Sequence, residues 1–313
     1  RTPPVEHLER ETPTAVAEYQ TSGEGYQVVV PIANPGNVTQ LMRTAMTLAK
    51  ENDGEILVMS VVTVPEQTPL SRGREQAGEK REVLDRAMAI AEDHDIPVSG
   101  TIRIGHNAAD GILNTITQHG SNAVVLGWKG KWTQRRDVVL GTNVDRIVKE
   151  ADCDVFVEKF GMGAEASVDS ILVPIAGGPH AGLAIETAGA IARETGATIH
   201  AVYVIASDAS EETRQKAESM LSDRTASVQD VGVETSLLES DDVVSALVEE
   251  STHHDRTIIG ATREGIVQKF VFGSIPETIA ERAPTTVIMA KRDLDVRTEL
   301  QQSLDKLRKR LTG

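Results

Sequence analysis

The sequence predicts an α/β protein of two tandem domains, each a parallel sheet with helices on both faces. Three observations predict it. One order of motifs is used twice along the 313 residues. Several strand-like runs are apolar without alternation, as expected of strands covered on both faces. Between these runs lie segments whose apolar residues recur at helical spacing.

The elements follow in pairs. Tyr26 to Pro31 (YQVVVP) reads as a strand running into IANPGN, and Ser170 to Pro174 (SILVP) is its counterpart, running into IAGGPH. Each leads into a helical stripe, Leu41, Ala45, Leu48 and Ala49 in the first half and Leu183, Ala188, Ile191 and Ala192 in the second. Continuous apolar strands come next, Glu55 to Val62 and Thr198 to Ile205. Ala123 to Gly127 (AVVLG) then matches Arg256 to Gly260 (RTIIG), and each precedes a loop ending in Gly141-Thr142 or Gly273-Ser274. Asp154 to Val157 and Thr286 to Met289 are the closing strands. The chain therefore reads as a tandem duplication.

This organisation divides the chain into domains at 26–160 and 168–292, joined by Gly161 to Ser167 (GMGAEAS) as a short flexible linker. Residues 1–25, rich in Pro, Glu and Thr, read as an extended or partly helical lead-in. Residues 293–313 read as an amphipathic helix, with Val296, Leu300, Leu304, Leu307 and Leu311 in one stripe that packs on its own domain or pairs with another chain. Open parallel sheets bind ligands beyond the carboxyl ends of their strands, where strand order switches. The places to inspect are thus the ends of the first and fourth strands of each half.

A composition of 40% hydrophobic, 25% charged and 3% aromatic residues is that of a soluble globular protein with Val, Ile, Leu and Ala cores. The formal charge of −15 argues against general binding to DNA or RNA, because phosphate contacts need clustered positive charge. It also suits a high-salt cytoplasm. No run approaches the roughly 18 to 20 apolar residues of a membrane span, and no signal peptide pattern opens the chain. The start at Arg1 suggests a fragment or processed product. The single cysteine, Cys153, excludes an internal disulfide and reads as a buried structural thiol.

No catalytic set is evident: there is no G-x-S-x-G elbow, no paired metal-spaced His and Cys, and no dinucleotide G-x-G-x-x-G after the first strands. His253-His254-Asp255 reads as a helix end, His200 as a strand residue at the core or rim, and Asp241-Asp242 as an N-cap. The expectation is a non-enzymatic chain without a metal.

The V-P-I end of the first strand, the strand followed by G-x-x-G, and the late Gly-Ser/Thr before a helix resemble the universal stress protein family, present as two tandem domains. That resemblance implies a doubly wound five-stranded parallel sheet in each half. It also implies pairing through the last strands, either between the halves as an intrachain pseudo-dimer or between two chains as a homodimer. The arrangement PIANP and the run VSGTIRIGH more narrowly resemble universal-stress-type domains attached to archaeal amino-acid permeases. This implies a cytoplasmic regulatory region on the inner face of the membrane, following an N-terminal transporter domain in the same polypeptide.

Nucleotide-binding members of the family carry G-x2-G-x9-G-S/T, so the resemblance implies ATP, AMP or another adenine nucleotide as ligand. The physics is that small residues let backbone amides approach an anion at a helix start. In the first half Gly127, Gly130, Gly141 and Thr142 supply this order, with ten residues where the family has nine between the second and third glycines. Lys129, Lys131, Arg135 and Arg136 add positive charge, and Trp128 and Trp132 either cover a base, anchor a partner or cap the loop against its own domain. In the second half Gly260, Gly273 and Ser274 remain, but Arg263 replaces the second glycine and Gly265 follows two residues later. The resemblance adds Asn143 and Ile275 at the helix starts, and Pro31, Ile32, Pro174 and Ile175 at the first-strand ends. Ala33 and Ala176 stand where the family usually has an acidic residue contacting adenosine. Loss of such a charged hydrogen bond costs about 1.5 to 3 kcal/mol. A nucleotide-sensing regulatory module, a ligand-free assembly domain and a slow nucleotide hydrolase are the three readings the sequence supports, in that order.

Overall fold

The computed structural model describes residues 14–18, 25–67, 69, 71, 73, 77–128, 141–162, 164, 166–262 and 272–294. The predicted C-terminal amphipathic stripe lies outside the described residues. After an N-terminal strand β1 (Thr14–Glu18), the first half runs β2 (Gln27–Pro31), α1 (Val38–Glu51), β3 (Glu55–Thr63), α2 (Ala77–Glu92) and β4 (Val98–Gly105). It continues with α3 (Ala108–His119), β5 (Ala123–Trp128), α4 (Thr142–Glu150) and β6 (Asp154–Lys159). The second half repeats this as β7 (Ser170–Pro174), α5 (Pro179–Thr195), β8 (Thr198–Ile205), α6 (Glu211–Thr225) and β9 (Val233–Glu239). It ends with α7 (Val243–Glu250), β10 (Arg256–Gly260), α8 (Ser274–Arg282) and β11 (Thr286–Lys291).

The strands form one 11-stranded sheet in the order β1-β4-β3-β2-β5-β6-β11-β10-β7-β8-β9. Within each half the five repeated strands are parallel. This is the doubly wound arrangement: the chain winds outward from β2 through β3 to β4, then returns to the other side of β2 for β5 and β6. The second half does the same about β7. Strand residues divide by parity between two cores. Val28, Val30, Ile56 and Val58 join α1, α2, α5 and α6 on one face. Val29, Leu57 and Met59 join α3, α4, α7 and α8 on the other. Strands used on both faces have no polar side to show, which explains the unalternating apolar runs.

The halves meet through their last strands, β6 against β11, antiparallel, with the equivalent residues Val157 and Met289 opposite each other. The expected pairing thus occurs within the chain. Around this centre the equivalent lysines reach across in both directions: Lys159 Nζ donates to Ala283 O at the end of α8 at 2.5 Å, and Lys291 Nζ donates to Val148 O in the last turn of α4. A cation on the last carbonyls of a helix meets the negative end of its dipole. Burial pushes both ammonium pKa values down. On the helix layer, Thr47 of α1 donates to Glu194 of α5 at 2.5 Å, and Arg193 of α5 pairs with Glu51 of α1 at 2.7 Å.

Two segments carry more structure than their composition suggests. Part of the lead-in is β1, antiparallel on the outer edge of β4 with a register shift between Ala15 and Ala17. A strand there covers the edge of β4 and leaves the short β1 outermost. The Gly161 to Ser167 stretch is held at several points. Met162 N donates to Pro284 O at 2.9 Å, and Arg43 Nη1 donates to the carbonyls of Ala164 and Ala166.

Candidate functional site

The strand order switches between β2 and β5 in the first half and between β7 and β10 in the second. At the first switch point, β2 leads through buried Ile32 to exposed Ala33. Ile32 is fixed on both sides, its N–H donating to Met59 O at 2.8 Å and its carbonyl accepting from Ser60 Oγ at 3.0 Å. Asn34 then starts a 3-10 turn by accepting from Gly36 N at 3.1 Å, and the turn hands over to α1 at Asn37. A side chain added at Gly127 would meet Asn37 Nδ2 at 3.4 Å, Phe160 at 3.5 Å and Leu41 at 3.6 Å, so the first-strand turn and the fourth strand's end lie together. Gly141 begins α4 at φ +114° and ψ 143°, a conformation only glycine adopts readily, with no atom of the described residues within 4 Å of where a Cβ would stand. Thr142 and Asn143 follow, exposed, in the first turn.

The second switch point has the same plan and a different filling. Pro174 and Ile175 are buried and Ala176 is exposed, but Gly178, at φ +108°, starts α5 directly without the 3-10 turn. The start of α5 presses on β10: a Cβ at Gly260 would lie 2.5 Å from the carbonyl carbon and oxygen of His180 and 2.8 Å from Ala181 N. Gly273 begins α8 at φ +102°, and its Cβ position is only 2.0 Å from Thr262 Oγ1. Thr262 N donates to Phe272 O at 2.7 Å, closing the base of the loop. Glu277, in the first turn of α8 and 1% exposed, accepts from Phe272 N at 2.9 Å. A carboxylate therefore already serves one backbone donor at this helix start. Ser274 and Ile275 beside it are half-buried.

A family model described as the universal stress protein family matches residues 26–159 and 167–291. The chain belongs to the universal stress protein family. Among solved structures, a universal stress protein from Archaeoglobus fulgidus aligns with a TM-score of 0.62 at 17% identity, covering 86% of this chain and 97% of that one. The cytoplasmic domain of a prokaryotic cation chloride cotransporter aligns with a TM-score of 0.58 at 14% identity, covering 85% of this chain and 95% of that one. At such identities these likenesses show the fold. Among curated proteins, the Na(+)/H(+) antiporter NhaS5 of Synechocystis is 21% identical over 150 residues, 48% of this chain. The chain spans only 21% of that antiporter's length.

Of the residues that the universal stress pattern nominates, the fold brings Pro31, Ile32, Ala33 and Gly127 to the first switch point, with Gly141, Thr142 and Asn143 at the start of the helix that follows β5. It brings Pro174, Ile175, Ala176 and Gly260 to the second, with Gly273, Ser274 and Ile275 at the start of α8. Lys129, Gly130, Arg263 and Gly265 lie outside the described residues, as do Lys131, Trp132, Arg135 and Arg136. Trp128 is 4% exposed and packs in the core beside α3 and α4, which fits the reading in which it caps its own domain. Sequence reasoning missed Asn34, Asn37, Thr262 and Glu277. Their signal was local: an Asn-Pro-Gly-Asn turn, and an acidic residue three places after Ser274 in a helix start.

The other chemistry-bearing groups are structural. Cys153 is buried and its thiol is pushed up to about 12, by burial first and by Asp154 next. His253 closes a 3-10 turn after α7, and His254 Nε2 lies 3.2 Å from Glu250 with burial holding its pKa down. Asp242 caps α7 by accepting from Ser245 N at 3.0 Å. Among the described residues no group of three or more His, Cys, Asp or Glu is arranged to hold a metal. Among the same residues no helix is long and apolar enough to cross a membrane.

Proposed function

We propose that this chain is a non-catalytic regulatory module of a membrane transporter, lying on the cytoplasmic face, with half-domains at 26–160 and 168–292. Its first half holds an adenine nucleotide such as ATP or AMP. The observation that carries the reading is the helix start at Gly141, whose backbone conformation suits close approach of a phosphate and whose Cβ position has no atom of the described residues within 4 Å. Lys129 and Gly130 belong to the same loop in sequence and supply charge and a second small residue. The second half is the weaker site, because Glu277 and Thr262 occupy its helix start. The antiporter relative and the cotransporter domain support the transporter link, since both carry the likeness within a transport protein. Coupling between nucleotide and transporter needs only about 1 to 3 kcal/mol.

Isothermal titration and thermal shift with ATP and AMP test the sensor reading. One nucleotide per chain is expected, and the Gly141→Asp variant abolishes binding. No heat and no shift at millimolar nucleotide would sink it and leave the assembly-domain reading, which the alanines at 33 and 176 favour. For the transporter link, the coding region upstream of Arg1 is expected to encode hydrophobic spans; a stand-alone reading frame without them would remove it.

A further inference from the structure

The β6–β11 pair has a near-twofold centre at Val157 and Met289. Counting outward from it, and from the equivalent Gly127 and Gly260, places Glu158 in correspondence with Ala290 and Arg256 with Ala123. A true twofold would make the same inner contact twice. Instead, one side has Glu158, 0% exposed, with Arg256, 3% exposed, while the other has Ala290 and Ala123, both 0% exposed. On the charged side Arg256 Nη1 donates to Glu158 Oε1 at 3.4 Å and Thr44 Oγ1 donates to Oε2 at 2.8 Å. Arg43 of α1 is the other charged group acting on this carboxylate.

We infer that the Glu158–Arg256 pair is a pairing code, which makes the last-strand edge of the first half fit that of the second half and reject a second copy of itself. Two first halves joined about the same centre would bury two Glu158 carboxylates, each facing Ala123 of the other copy. Two second halves would bury two Arg256 guanidiniums facing Ala290. In a first-half pair Glu158 would keep Thr44 and Arg43 of its own half but lose the Arg256 guanidinium, and in a second-half pair Arg256 would lose its carboxylate, so both self-pairings are disfavoured relative to the mixed pairing. The lysine contacts cannot discriminate in this way, because Lys159 and Lys291 are equivalent and would form in any combination. Burial pushes the Glu158 carboxyl up to about 6 even beside Arg256, so the pair is a poor source of stability at neutral pH. Selection among edges is what it supplies. A tandem chain needs such selection, since its two halves offer nearly the same apolar edge.

The test uses the full chain with Cys153→Ala and Val157→Cys. The introduced thiol faces Met289 when the halves pair within a chain, and faces its own counterpart when two first halves pair. The protein is unfolded in urea, refolded at high concentration and oxidised, and interchain disulfide is read on a non-reducing gel, with dimer mass checked by light scattering. With the pair intact, little cross-link is expected; adding Glu158→Ala and Arg256→Ala together raises it several-fold. Equal cross-linking in the two proteins overturns the inference. Glu158→Leu with Arg256→Met keeps more of the volume and carries the same two outcomes should the alanine pair fail to refold.

Discussion

At the end of β5, Gly127 has room for a methyl group, its would-be neighbours standing 3.4 to 3.6 Å away; at the end of β10, Gly260 has none, with His180 backbone at 2.5 Å. The two glycines hold the same place in a repeated motif and stand in different surroundings. In the first half the glycine leaves room for a methyl group and no more, and Gly141 further on has no atom of the described residues within 4 Å of its Cβ position. In the second half the glycine lets α5 close down on the sheet, and Gly273 lets α8 close on Thr262. The lesson is that a motif glycine argues for a ligand only where the volume beside it is vacant. Where protein fills that volume, the same letter reports packing.

The comparison breaks most easily at the fourth-strand glycines. Overpacking a tight backbone contact costs about 1 to 3 kcal/mol, occasionally more, and the neighbours of Gly260 are main-chain atoms that cannot rotate away. Gly260→Ala is therefore expected to lose about 3 kcal/mol in urea unfolding, and Gly127→Ala less than about 1 kcal/mol. Equal losses would show that both sites are packed alike. The helix-start glycines give a finer version. Gly141→Ala carries backbone strain of roughly 1 to 3 kcal/mol, whereas Gly273→Ala carries that strain plus the clash with Thr262, so Thr262→Ala should relieve the second variant and leave the first unchanged.

A second difference between the halves is electrostatic. The first half buries Glu158 where the second has Ala290. Burial lifts the Glu158 carboxyl from 4.5 in its ordinary state to about 6 in the fold, against the opposing pull of Arg256 and the Thr44 hydrogen bond. The folded chain thus holds this proton more tightly than the unfolded chain. Its contribution to stability is full below the unfolded value and is lost as pH rises through the folded one, a change of about 2 kcal/mol. Unfolding free energy measured from about pH 4 to about pH 8 should carry that decline, and Glu158→Gln should flatten it. An unchanged slope in the variant would place the titration elsewhere.

Much of the fold is legible in the sequence because its strands need apolar residues on both faces, and runs such as VVV and EILVMSVV have few other uses. The duplication made each reading twice. The strand at Thr14–Glu18 escaped, since five residues beside Pro and Glu carry little pattern. The site was legible only as a list of glycines. Both helix starts carry an acidic residue, Asp145 in α4 and Glu277 in α8; that Glu277 folds back onto Phe272 N, and that β7 enters α5 without a 3-10 turn, are facts of distance. The sequence does record that Ala33 and Ala176 lack a carboxylate, and that shared absence is the means to test the unequal surroundings.

Ala33→Asp returns the family's acidic residue to an exposed position at the first switch point. A charged hydrogen bond to a nucleoside contributes about 1.5 to 3 kcal/mol, so ATP or AMP affinity in this variant should rise roughly ten- to a hundredfold by isothermal titration. Ala176→Asp places the same group at the second switch point, where Glu277 already accepts from Phe272 N and Thr262 lies against Gly273. Its affinity and stoichiometry should match those of the unsubstituted chain. Should Ala176→Asp add a second nucleotide while Ala33→Asp changes nothing, the open and closed assignments of the two halves would have to be exchanged. A gain in both would mean that Glu277 and Thr262 move aside at little cost, and that the difference in packing between the halves does not extend to binding.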